Sequence, residues 1–81
     1  MFYQNSKGKK MIRIHDFIAV LIDIKNTVIT RGTTGTIVSR LDDAYYLVEF
    51  SDNNGQVYEQ IPIHQANLLV LHQITEKADA I

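Results

Sequence analysis

Tyr45-Tyr46-Leu47-Val48-Glu49-Phe50 runs straight into Ser51-Asp52-Asn53-Asn54-Gly55. Alternation along the first segment puts Tyr46, Val48 and Phe50 on one side and Tyr45, Leu47 and Glu49 on the other, the period of a β-strand. The second segment is dense in residues that favour tight turns, so the strand ends in a hairpin. Just upstream, Gly32-Thr33-Thr34-Gly35-Thr36-Ile37-Val38 reads as the start of another strand. Short neighbouring strands joined by tight turns restrict the chain to a small, strongly bent β-sheet.

With 81 residues, the chain forms one domain with a thin core. An apolar content of 46 % is that of a globular protein and excludes global disorder. Cysteine is absent, which excludes disulfide staples, thiolate catalysis and Cys-type zinc sites. Apolar runs fall short of the roughly 18 residues needed to span a bilayer, and no apolar stretch follows the N-terminal lysines as a leader would require. These features predict a soluble cytoplasmic protein.

Charge is unevenly placed. Lys7, Lys9, Lys10 and Arg13 are half of the eight basic residues, whereas every acidic residue lies from Asp16 onward. The folded body is therefore acidic, and residues 1–13 read as a flexible basic tail. A nucleic-acid binder places its Lys and Arg on the folded face that meets phosphate. This chain does the reverse.

The remaining elements follow the same logic. Phe17 to Ile22 is apolar at every position and reads as the first strand, with Ile18, Val20 and Ile22 on one face and Phe17, Ala19 and Leu21 on the other. Asp23 to Arg31 is a loop turning at Lys25-Asn26. Gly32 and Gly35 mark places needing small residues and positive φ. Thr34 to Arg40 is the second strand, Leu41-Asp42-Asp43-Ala44 a hairpin, Tyr45 to Phe50 the third strand and Gln56 to Ile61 the fourth. Pro62 opens a single 3₁₀ or α turn reaching Asn67, before a fifth strand from Leu68 to Leu71. The expected core is Ile18, Val20, Ile37, Val48, Phe50 and Leu68. Residues 73–81 form a C-terminal tail with one helical turn near Glu76 to Ala80. The predicted fold is all-β: a five-stranded SH3-like barrel over residues 14–72, with one short turn of helix before the last strand.

His15-Asp16, the apolar strand, Asp23-Ile24, Gly32-x-x-Gly35-Thr36-Ile37-Val38, Tyr46-Leu47-Val48-Glu49-Phe50, Asp52-x-x-Gly55 and Asn67-Leu68 occur in that order. The pattern resembles the bacterial domain of unknown function 4926 family from His15 to Leu71. The Gly-Thr-Ile-Val and Val-Glu-Phe elements are shared more loosely with other SH3-like barrels, including KOW-type modules and a small photosynthetic-complex subunit. The resemblance implies the barrel fold. The family has no established activity, and its members are similar to small accessory or antitoxin-like proteins. Phe17, Leu21 and Ile22 stand where that pattern is more polar, and the usual Pro after Ile24 is missing.

No residue set carries catalysis. His15 and Asp16 are adjacent, so on a strand they point apart and cannot form a dyad. His15, His64 and His72 match no local metal-ligand spacing. Asp42-Asp43 serves its turn better than a cation. The glycine-containing segment lacks the Lys and following helix of a phosphate loop. Tyr3, Tyr45, Tyr46 and Tyr58 with Phe50 include base-stacking candidates, but Tyr46 and Phe50 belong to the core face. The chain reads as a non-enzyme without metal or cofactor.

What remains is an interaction protein. The preferred reading is an antitoxin or immunity-type inhibitor that blocks one partner protein, such as a nuclease toxin, its acidic surface steering capture of a basic target. The alternatives are a structural subunit or dimerisation module, and a KOW-like nucleic-acid binder. If Ile18 and Val20 fill the barrel, Phe17 and Leu21 have no core to enter. They are the expected contact residues for a cognate partner or a second copy, with Glu49 and Glu59 as the charged rim.

Overall fold

Two hairpins centred on one strand organise the structure, a computed structural model that describes residues 11–72. Residues 1–10 of the expected basic tail (1–13) and the helical turn near Glu76 lie outside the described residues. Strand β2 (Thr34–Arg40) pairs antiparallel with β3 (Tyr45–Ser51), and β3 pairs with β4 (Val57–His64). Both connections are fixed by an aspartate. The Asp42 carboxylate accepts the backbone N–H groups of Ala44 and Tyr45 at 2.8 Å each. The Asp52 carboxylate accepts those of Asn54 and Gln56 at 2.9 Å each. Gly55 then closes its turn at φ 81°, a backbone conformation that a side chain would strain.

Strand β1 (Phe17–Val20) lies on the other side of β2, and β5 (Leu68–His72) lies beyond β1. The order is therefore β4-β3-β2-β1-β5, all antiparallel, with a 3₁₀ turn η1 (Gln65–Asn67) between β4 and β5. This is the expected all-β architecture, with the expected turn before the last strand. Ladders leave β4 and β5 as the two ends of one sheet. Curvature comes from bulges: the register shifts between Ile37 and Ser39 of β2, and between Phe17 and Ile18 against β5.

All five strands feed one core. Ile18, Val20, Ile37, Val48, Phe50 and Leu68 are fully buried, as the alternation predicts, and Tyr46 and Ile63 join them. Complete burial of each such side chain contributes about 1.5–3 kcal/mol relative to exposure. Ile29, which carries no strand signal, is also buried. Its loop is closed around it: the Ile24 N–H donates to the Ile29 carbonyl at 2.9 Å, and Thr27 Oγ1 accepts the Ile29 N–H. Asn26 makes the expected turn at φ 63°.

Three expectations change. β1 ends at Val20, two residues early, because Val20 bonds to Gly32 and Thr33 while the Leu21 N–H turns to the Asn67 carbonyl. Ala19, expected on the open face, is largely covered. Pro62 does not begin the helical turn but sits inside β4 opposite Leu47, so that β4 runs on to His64. An edge strand tolerates this, since the ring nitrogen needs only to face away from its single neighbour. His64 then caps η1, its Nδ1 accepting the Ala66 N–H at 3.0 Å.

The two glycines predicted to need positive φ differ in kind. Gly32 has φ 94°. Gly35 is needed for space: a Cβ there would lie 2.8 Å from Phe50 Cε1 and 2.9 Å from the Glu49 carbonyl oxygen. Gly35→Ala should therefore cost about 1–3 kcal/mol in denaturant unfolding, and Phe50→Leu in the same chain should make that added cost smaller. Strictly additive losses would show that the ring and residue 35 do not compete for space.

Asp42 gives a pH prediction. The backbone bonds from Ala44 and then Tyr45 hold its carboxyl below the ordinary carboxylate value. Folding thus favours the ionised form. Its stabilisation is complete above the unfolded-state pKa and disappears as pH falls through the lower folded-state value. The stability gap between the native chain and Asp42→Ala should narrow as pH falls below the ordinary carboxylate value of about 3.9. A gap of constant size would exclude the ionised carboxylate as its source.

Candidate interaction surface

Charge is absent from one half of the sheet. β1 reads Phe-Ile-Ala-Val and β5 reads Leu-Leu-Val-Leu-His, with no Asp, Glu, Lys or Arg in either. Their pairing places Ile18 opposite Val70 toward the core, and Ala19 opposite Leu69 on the outer face. That face exposes Phe17 (43 %), Leu69 (48 %) and Leu71 (46 %). Apolar side chains this exposed on adjacent strands leave water ordered over contiguous hydrocarbon.

The residues expected at an interface do not form one patch. Phe17 pairs with Thr36, Thr36 with Glu49 and Glu49 with Gln60, so Phe17 and Glu49 share the outer face at two strands' distance. Leu21 is 40 % exposed in the bend after β1, tied by its N–H to η1. Glu59 is opposite Phe50 and in phase with Ile61 and Ile63, which places it on the other side of the sheet from Glu49. Leu69 and Leu71 were not anticipated. The run Leu68 to Leu71 is apolar throughout; the register with β1 separates Leu68 and Val70, which pack inward, from Leu69, and Leu71, at the bulge without a β1 partner, is set apart by its exposure.

Carboxylates are spread over the other half of the sheet. Glu49 and Glu59 lie on β3 and β4, and Asp42, Asp43 and Asp52 lie in the two hairpins that bound β3. Arg40 meets Asp43 in an exposed pair at 2.9 Å, which in open solvent contributes little.

Other constellations resolve into structural roles. Asp16 is buried, and its carboxylate accepts the Arg13 N–H at 2.9 Å. His15 turns the chain at φ 79°, and its N–H donates to the Ile37 carbonyl at 2.7 Å. The pair thus anchors the start of β1 to β2. Thr33 Oγ1 accepts the Thr30 N–H at 3.1 Å, which closes the turn beside Gly32. Tyr45 packs edge-on against His64, with ring centroids 5.1 Å apart. Tyr58 is exposed at the opposite end of the β3–β4 ladder, and Tyr46 and Phe50 are core. Tyr3 lies outside the described residues, and the described tyrosines provide no continuous stack for successive bases. Among the described residues, no group of three or more His, Asp or Glu is placed to hold a metal ion, and no helix is long and apolar enough to cross a membrane.

Among protein families, the one described as Domain of unknown function (DUF4926) has a model that matches residues 14–70, nearly the whole described sheet. Comparison with curated proteins and with solved structures returns no match.

Proposed function

The chain belongs to the Domain of unknown function (DUF4926) family, and on that premise we propose that it is a non-catalytic protein-interaction module of the antitoxin or immunity-inhibitor type. It assembles through the neutral β1–β5 face and presents the acid-bearing β3–β4 half, with its two hairpins, to a basic protein target. The observation that carries this reading is the segregation of charge between the two halves of one small sheet. An apolar face on a marginal domain is stabilised by being covered. Carboxylates around β3 raise the encounter rate with a basic target by steering, an effect that weakens with salt. The cysteine-free composition suits a reducing, cytoplasmic setting.

A subunit or dimerisation role without inhibition is the second reading, favoured by the absence of charge on β1 and β5. Affinity capture from the native host separates the two, using the native full chain, Phe17→Ser with Leu21→Thr, and Glu49→Gln with Glu59→Gln. The native chain should retain a basic protein and suppress its activity. Each double variant, folded by circular dichroism, should retain less of it. A captured protein that stays fully active removes the inhibitory role. Capture unchanged by both variants removes the surface assignment as well.

A further inference from the structure

The sheet has two edges, and they are not equivalent. β4 carries Pro62 and Glu59, the proline and charge that keep an edge strand from pairing with a stranger. β5 carries neither, and among the described residues no strand lies on its far side. The hydrogen-bonding phase of that edge can be read from β1. Val20 bonds toward β2, through its N–H to Thr33 and its carbonyl from Gly32, whereas the Leu21 N–H bonds toward Asn67. Alternation then directs Ala19 to β5, and its partner Leu69 back to β1. The backbone N–H and carbonyl of Val70 consequently face the open side.

We propose that a second copy of this chain occupies the β1–β5 surface, its β5 pairing antiparallel with the first β5 about a two-fold axis at Val70. In that register the two Val70 residues exchange backbone hydrogen bonds. Leu69 of each copy lies opposite Leu71 of the other on the outer face. Four leucines then form one cluster flanked by the two Phe17 rings, and each core extends beneath through Val70. An isologous contact brings the same patch of the two copies together about the axis. A charge there would repel itself, so the lack of any charge on β1 and β5 is the condition self-pairing requires. The acid-bearing β3 and β4 cannot meet that condition and stay on the outside of the dimer.

This inference rests on the assembly role proposed for the same face, and one experiment distinguishes their failures. The native full chain, Leu69→Lys with Leu71→Lys, and Leu69→Thr with Leu71→Thr are compared by sedimentation equilibrium and amide hydrogen exchange. The native chain should sediment at twice its 9.3 kDa mass. Its Val70 amide should show protection that falls on dilution. Both variants should sediment as monomers with the native circular dichroism spectrum, the threonine pair guarding against unfolding by the lysines. A monomeric native chain, a dimer kept by both folded variants, or a dimer with an unprotected Val70 amide overturns the proposal. If the native chain is a monomer and Phe17→Ser with Leu21→Thr still abolishes capture of another protein, the face docks that protein instead of a second copy. If capture is also unaffected, the assembly role fails with it.

Discussion

The contact between the Phe50 ring and the Gly35 backbone is the constraint on which the rest depends. A Cβ at residue 35 would lie within 3 Å of two ring carbons and of the Glu49 carbonyl oxygen. The Phe50 ring of β3 therefore packs against the Gly35 backbone of β2, at the level where Ile18 of β1 pairs with Gly35. With β1, β2 and β3 so close around one aromatic side chain, the sheet coils. Coiling brings Ile63 of β4 and Leu68 of β5, from strands at opposite ends of the sheet, to the same core. The 3₁₀ turn between these strands, capped by His64, is short enough to span the resulting gap.

Much of this was legible in the residues. β3 was plain because alternation and an aspartate-containing turn agree at both its ends, and β2 because a glycine turn precedes it and Asp42-Asp43 follows it. The six expected core residues follow from the same phase. What was hidden depended on tertiary position. Pro62 is a turn signal in any sequence, and only the edge location of β4 makes it a strand residue. Ile29 is a lone apolar residue among polar ones, and its burial comes from the closure of its own loop. A glycine that supplies positive φ, such as Gly32, and one that makes room for a ring, such as Gly35, look alike in sequence.

The candidate surface was half legible, for a related reason. An all-apolar strand announces that both its faces are covered, without saying by what. Phe17 could be assigned outward because Ile18 and Val20 had to fill the core. Leu69 and Leu71 could not, since every residue from Leu68 to Leu71 suits either face until the register with β1 is known. Glu59 shows the converse. It is in phase with Ile61 and Ile63, so once those residues pack toward the core the glutamate must follow them to that side. It leaves Glu49 alone on the outer face of β3 and β4 as a carboxylate in line with Phe17.

On the proposed reading the two halves of the sheet are not interchangeable, and the reason is symmetry rather than hydrophobicity alone. A surface that meets its own copy can be apolar or can pair opposite charges across the axis, but it cannot carry one sign of charge. β1 and β5 satisfy this by having no charge at all. A surface that meets a different protein has no such restriction, and a single sign of charge there speeds capture of an opposite one. The residues around β3 fit that second case: both hairpins present aspartates, and the Arg40 guanidinium is already engaged by Asp43. Five strands around one core leave little room to combine the two kinds of surface. Strand order keeps them apart, with β2, whose one charged residue is Arg40 at its end, as the divide.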